Sequence, residues 1–193
     1  MKNIVIISGP TGSGESTITN LLLNKYPIFK RLVTATSRRP RLNEKHGRDY
    51  YFFTKTEFKK LIANGQIIEY TYIKNRATYY GTYLPDLKKK LKAGYNIVAN
   101  TDWIGTKFYS KHYQAVSIFI KPESLAVVKK RLLTREPNIS TAELKKRLIN
   151  AAKEIKKEEK YYAYTVINRQ NRLTNTLREL VKILKKEGYR LKK

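Results

Sequence analysis

One stretch constrains this chain more than any other: Gly9-Pro10-Thr11-Gly12-Ser13-Gly14-Glu15-Ser16, set between two segments of opposite periodicity. Before it, Asn3–Ser8 is a short apolar, β-branched run that reads as a buried strand; after it, Ser16–Lys25 reads as a helix. A strand that turns through glycines into a helix N-terminus aims backbone N–H groups and the positive end of the helix dipole at one point, where a phosphate fits. The alternative is an ordinary glycine-rich turn, and the strand–loop–helix context favours the phosphate loop.

The rest of the chain alternates strand and helix. Thr54-Lys55-Thr56-Glu57 and Ser140-Thr141-Ala142-Glu143 have the form of capping boxes, and Gly65, Gly94 and Gly188 sit where helices should stop. Ile67–Ile73, Thr78–Tyr83, Tyr95–Asn100, Ala115–Ile120 and Thr165–Asn168 read as strands. Leu84–Ala93 and Glu123–Arg135 read as helices, as does a segment bearing Leu144, Leu148, Ala152 and Ile155 on one face. Leu173, Leu177, Leu180, Val181 and Leu184 mark a last helix. This order predicts an α/β fold, a parallel sheet covered on both faces, with the Tyr-rich Asp49–Tyr83 departing from the alternation as a small subdomain.

Composition bounds the function. The 193 residues suit one compact domain, and 41% hydrophobic content supplies a core. The absence of cysteine excludes disulfides and cysteine-ligated metals. Residues 1–8 are too short for a signal peptide and no apolar run reaches the roughly 18 residues of a membrane span, so a cytoplasmic protein is expected. The net charge of +26 attracts polyanions, and nucleic acid is the first partner to weigh. Yet the basic runs Lys88–Lys89–Lys90, Lys129–Lys130–Arg131 and Lys145–Lys146–Arg147 lie among helical apolar positions, as solvated helix faces do, so only non-specific nucleic-acid binding is expected.

The glycine spacing of the loop is that of a Walker A motif, and Ser16 is placed to offer its hydroxyl to Mg²⁺. The motif's lysine, which touches the β- and γ-phosphates, is Glu15 here. One charge contact near 4 Å is worth about 1 kcal/mol in water and about 4 kcal/mol at an effective dielectric of 20. Doubled for the reversal, even the smaller figure costs roughly 30-fold in triphosphate binding or transfer.

Past the loop, Thr34-Ala35-Thr36-Ser37-Arg38-Arg39-Pro40-Arg41 and then Glu44-Lys45-His46-Gly47-Arg48-Asp49-Tyr50-Tyr51-Phe52 resemble the GMP-binding segment of guanylate kinases. Ile67-Ile68-Glu69-Tyr70, Tyr79-Tyr80-Gly81-Thr82, Ala99-Asn100-Thr101-Asp102, Val116-Ser117-Ile118-Phe119-Ile120, Lys130-Arg131-Leu132 with Arg135, and Lys146-Arg147-Leu148 follow in that family's order, over about residues 3–187. The resemblance implies a P-loop NTPase-type three-layer α/β/α domain. Its core would be about 1–33, 84–134 and 148–190, with a small mixed β GMP-binding subdomain about 34–83 and a helical lid about 135–147.

It also implies an activity, in-line phosphoryl transfer from ATP to GMP with Mg²⁺. The ATP side would be Gly9, Pro10, Thr11, Gly12, Ser13, Gly14, Ser16, Thr17 and Arg131, with Ser16 toward the metal. The GMP side would be Thr34, Arg38, Arg41, Tyr50, Glu69, Tyr80, Thr82 and Asp102. The chemistry agrees: arginine forks and tyrosine hydroxyls suit a phosphate monoester, while guanine presents N1–H and an amine, so its readers must be acceptors. Arg38, Arg135 and Arg147, with Glu15 in the lysine's place, would act on the transferring phosphoryl group. The attacking phosphate oxygen is already anionic, so neither His46 nor His112 is needed as a base.

Three departures fall on the ATP side. They are Glu15, Asn100 where the family usually carries an acid, and an Asn168-Arg169-Gln170 segment without the usual acids. Residues 74–78 also form a turn about two residues longer than the family's. Two functions stay open at this point: a GMP kinase, monomeric or homodimeric, weakened through Glu15, or a non-catalytic module that holds GMP or a phosphopeptide.

Overall fold

The computed structural model describes residues Lys2–Lys192. In chain order the elements are β1 (Ile4–Ser8), α1 (Glu15–Lys25), β2 (Phe29–Arg31), β3 (Ala35–Thr36), β4 (Tyr51–Phe52), α2 (Lys55–Ala63), β5 (Ile67–Ile73) and β6 (Thr78–Tyr83). They continue as α3 (Leu84–Lys92), β7 (Asn96–Ala99), α4 (Trp103–Tyr113), β8 (Val116–Pro122), α5 (Leu125–Arg135), α6 (Thr141–Glu158), β9 (Tyr164–Asn168) and α7 (Leu173–Lys186). The fold is α/β. One sheet has the order β2-β7-β1-β8-β9 and a second the order β4-β3-β6-β5. The chain divides into two compact units, Met1–Phe29 with Val98–Lys193, and Lys30–Ile97. Among the described residues no helix is long and apolar enough to cross a membrane.

In the first unit β1 pairs in parallel with β8, and β8 with β9. Ile4, Val5, Ile6 and Ile7 are all buried, as are Ile118, Phe119 and Ile120, the continuous apolar run of strands covered on both faces. α7 buries Thr176, Leu177, Leu180 and Leu184. Leu173, expected on that stripe, is 37% exposed, because the buried face begins at Thr176, whose hydroxyl donates to Asn168 Oδ1 at 3.1 Å. α5 and α6 pack through Val128, Leu132, Leu144 and Ala151. α5 starts at Leu125 rather than Glu123 because Ser124 caps it, accepting from Val127 N at 3.3 Å.

The capping boxes fare differently. Thr54 and Glu57 make the full reciprocal pair at α2. At α6, Ser140 accepts from Glu143 N, but the Glu143 carboxylate turns to Arg147 Nε at 2.9 Å. α4 was not anticipated from sequence. Its aromatic and β-branched residues and Gly105 are poor helix formers, and its start is set by Asp102, whose Oδ1 accepts from Ile104 N and Gly105 N.

The second unit is built on the antiparallel β5–β6 pair, with β3 antiparallel to β6 and parallel to β4. Ala35, Phe58 and Ile67 form its centre, ringed by Tyr51, Phe53, Tyr79 and Tyr83. Asp86, in the first turn of α3, ties this unit together: it accepts from Val33 N at 3.2 Å, Tyr51 Oη at 3.1 Å and Lys90 Nζ at 2.6 Å. Burial, with Asp86 beside it, pushes the Tyr51 hydroxyl up to about 12.

The Asp86 side chain is 5% exposed, so removing its cation strands a buried charge. Lys90→Met is expected to destabilise the protein by about 3–5 kcal/mol, read from urea denaturation, while Lys92→Met on the exposed face changes it by less than about 0.5 kcal/mol.

Candidate functional site

The loop between β1 and α1 is shaped by two glycines that nothing else can replace. A Cβ on Gly9 would lie 2.4 Å from the Ile120 carbonyl oxygen of β8. Gly14 has φ +87°, and its Cβ would meet Asn168 Nδ2 at 2.3 Å. Gly14 has no side chain with which to cap α1; Ser13 Oγ accepts from Glu15 N at 3.2 Å, and the helix N-terminus adjoins the loop. The loop is held from behind. Arg131 Nη1 donates to Gly12 O at 3.2 Å and Ser13 O at 2.9 Å, its Nη2 to Asn168 O at 3.1 Å and its Nε to Gln170 Oε1 at 3.2 Å. Asn168 Nδ2 adds a bond to Ser13 O at 2.7 Å. Burial lowers the pKa of Arg131 from the ordinary arginine value.

In front of the loop lies a cavity of about 530 Å³. Gly9, Pro10, Thr11, Gly12, Ser13, Gly14, Glu15, Ser16 and Thr17 line it together with Arg131, Arg135, Asn168 and Gln170. Every residue that the sequence placed on the ATP side thus faces one space. Arg131 lines it while bonded to the loop's carbonyls, so it fixes the loop as well as facing the cavity. In the sequence the Asn168–Gln170 segment stands out only for the acids missing after Asn168. The Asn168 and Gln170 amides bond the loop and its arginine.

Glu15 lines this cavity and also a second of about 370 Å³, beside Ser8, Asn100, Thr101, Asp102, Glu154 and Glu158. Its Oε1 accepts from Asn100 Nδ2 and its Oε2 from the Ser16 hydroxyl at 3.3 Å. Burial, and then the charge of Glu158, pushes the Glu154 carboxyl up; burial, and then Asp102, does the same to Glu158.

At the α5–α6 connection Glu136 bridges the two arginines assigned to the lid, accepting from Arg135 Nη2 and Arg147 Nη1, each at 2.8 Å. These bonds hold the Glu136 carboxyl below its ordinary range.

The second unit carries a cluster built round Arg38. Arg38 grips the Glu44 carboxylate with both forks, at 2.6 and 2.8 Å, and Arg41 N adds a third bond at 2.7 Å. The guanidinium lies over the Tyr50 ring at 5.2 Å, and the Tyr50 and Tyr80 rings meet edge-on at 6.0 Å. Arg38 Nε is a buried donor without a hydrogen-bond acceptor among the described residues. Glu44 was read only as part of a motif; six residues from Arg38, it is that arginine's partner in the structure. In the same unit Thr82 Oγ1 donates to Glu69 Oε2 at 3.1 Å, beside a register shift between Ile67 and Tyr70. Gly81 is required there, since a Cβ would lie 2.5 Å from the Glu69 carbonyl oxygen. Thr34 lies just before β3, its carbonyl bonded to Tyr51 N at 2.9 Å. Asp102 belongs to the first unit, as the cap of α4.

Arg38 lowers the Glu44 carboxyl from 4.5 to about 2 by direct hydrogen bonding. A carboxylate depressed in the folded state stabilises above its unfolded pKa and loses that contribution as pH falls through the folded one. The stability gap between the protein and Glu44→Gln, measured by urea midpoints, is therefore expected to hold from pH 7 to about 4.5 and to close toward pH 2.

Comparison with known proteins supplies the family. The guanylate kinase family profile matches residues 1–187. The chain is 35% identical over 191 residues to the guanylate kinase of Protochlamydia amoebophila (strain UWE25), covering 99% of this chain and 94% of that protein. It is 37% identical over 191 residues to the guanylate kinase of Helicobacter pylori (strain ATCC 700392 / 26695), covering 98% and 90%. The crystal structure of guanylate kinase from Anaplasma phagocytophilum superposes with a TM-score of 0.72 at 29% identity, covering 97% of this chain and 86% of that one. With the family profile running through the glycine loop and the Arg38 cluster alike, this chain belongs to the guanylate kinase family.

Proposed function

We propose that this chain phosphorylates GMP to GDP with ATP and Mg²⁺ in the cytoplasm, despite Glu15. The observation that carries the reading is the phosphate loop itself, with Gly9 and Gly14 seated in contacts that admit no side chain and Arg131 tied to its carbonyls. On this reading the triphosphate lies in the 530 Å³ cavity against the N-terminus of α1. The Arg38 fork exchanges Glu44 for the GMP phosphate, with the Arg41 guanidinium and the Tyr50 and Tyr80 hydroxyls as further donors. Glu69 accepts from guanine, with Thr34 and Thr82 of the same unit supplying hydroxyls. Arg135 and Arg147 exchange Glu136 for the transferring phosphoryl group.

The donor set fits the metal. Mg²⁺ travels with nucleotide phosphates and takes only one or two protein oxygens, and Ser16, whose hydroxyl is such an oxygen, lines the cavity. When bound the ion would offset the negative charge on the β- and γ-phosphate groups. The protein's own part is to align the two nucleotides and exclude water. The net charge of +26 adds non-specific attraction for polyanions, nucleic acid included, which salt removes.

A coupled assay with ATP, Mg²⁺ and GMP is expected to show GDP formation that chelation abolishes. Glu69→Gln, which replaces an acceptor by an amide able to donate, is expected to raise the KM for GMP by about 100-fold or more, with discrimination against AMP falling in parallel. No GDP at high enzyme concentration would overturn the kinase reading. If calorimetry then showed GMP or phosphopeptide binding without ATP binding, the chain would be a non-catalytic module.

A further inference from the structure

We infer that Asn100 is a positioning residue for the phosphate loop. Its amide holds the Glu15 carboxylate against the end of β7, so that an acidic residue in the loop coexists with a phosphate in front of it. The inference rests on the loop being a phosphate site, and its argument is local.

Asn100 Nδ2 has Ile7 O at 2.9 Å, Thr19 Oγ1 at 3.1 Å and Glu15 Oε1 in reach. Ile7 O is a carbonyl and can only accept, and an ionised Glu15 can only accept. Position 100 must therefore present a donor. The amide cannot turn over, because its oxygen would then face Ile7 O. A carboxylate at 100 would face two obligate acceptors, one of them charged, beside Asp102, Glu154 and Glu158 around the same cavity. The residue types at 15 and 100 are thus complementary: an acceptor in the loop requires a donor at the end of β7.

The geometry also shows what the pair does. Glu15 lies on the wall between the two cavities. Anchored to Asn100, its charge is drawn to the acidic side rather than to the cradle formed by the glycines. Release from that anchor frees the carboxylate to swing toward the phosphate position, where repulsion acts on the triphosphate and not on the monophosphate bound by the other unit.

The test compares the protein with Asn100→Asp, Glu15→Lys, and the doubles N100D/E15K and N100D/E15Q. Three readouts apply: the KM for ATP and for GMP, kcat, and the thermal midpoint without nucleotide. Asn100→Asp is expected to raise the KM for ATP by about tenfold or more, with the KM for GMP unchanged and kcat moving less. Glu15→Lys alone is expected to lower the thermal midpoint, since an ammonium then faces an amide nitrogen. Both doubles supply a donor at 15 for the new carboxylate and are expected to recover the midpoint, with E15Q restoring the KM for ATP as well. Additive midpoints across the cycle, or equal effects of Asn100→Asp on both substrates, would overturn the inference. If calorimetry finds no ATP binding in any of the five proteins, the phosphate-site reading fails and takes the positioning role with it. A non-additive midpoint would then show only that the two residues are coupled in the fold.

Discussion

Everything at the ATP side depends on the loop being held from behind. A glycine loop left to itself has many conformations, and only one set of φ/ψ values turns its N–H groups inward. Here the carbonyls of Gly12 and Ser13 are taken by Arg131 and Asn168. With the Ser13 carbonyl fixed outward, the planar peptide turns the Gly14 N–H the other way, while the Ser13 N–H closes the loop on Pro10 O at 2.9 Å. Arg131 in turn is steadied by Asn168 O and Gln170, and Asn168 by Thr176 on α7. The buried stripe of the last helix therefore reaches the loop through two hydrogen bonds. That chain of contacts explains why α7 begins to bury at Thr176 and leaves Leu173 half in solvent.

The three basic triplets clarify what the net charge is made of. In each, the first two residues are exposed and the third is turned inward: Lys90 to Asp86, Arg131 to the loop, and Arg147 to Glu136 and Glu143. The sequence reading of these runs as solvated faces holds for Lys88, Lys89, Lys129, Lys130, Lys145 and Lys146. It misses the third member because one residue's advance along a helix is about 100° of rotation, enough to carry it from solvent to the neighbouring element. The surplus charge lies on the outward members, where water and salt screen it; the inward ones are structural.

What was legible in the sequence was whatever repeats locally. The apolar runs of β1 and β8, the glycines at loop and helix ends and the Thr54 capping box each announce themselves within a few residues. The glycine loop and the Arg38 segment carried the family in the same way. What was not legible was pairing across distance. Asn100 and Glu15 are 85 positions apart and Asn168 and Ser13 are 155 apart, so the sequence shows Asn100 only as a missing acid and Asn168 only as an asparagine whose usual acidic followers are absent. Asp86 joins β4, α3 and the segment before β3, partners that no local pattern brings together. α4 escaped because its start is fixed by a side-chain cap rather than by a periodic face.

A last regularity concerns the arginines proposed to meet phosphate. Arg38 holds Glu44, while Arg135 and Arg147 hold Glu136. Each guanidinium is already organised on a carboxylate whose flat, two-oxygen face resembles one edge of a phosphate. Binding a nucleotide on this reading is then an exchange of anions at a prepared fork, with little new ordering of long side chains. Exchange also favours a dianion over a monoanion, since the displaced partner carries one charge and the arriving phosphate close to two. Glu15 fits the same scheme from the opposite side. It accepts from the Asn100 amide and the Ser16 hydroxyl, and it brings a negative charge to the position where a Walker A loop carries a lysine. The demand on Mg²⁺ and on Arg135 and Arg147 is correspondingly greater, and the cost of the charge reversal is set by how firmly Asn100 keeps Glu15 to its own side of the loop.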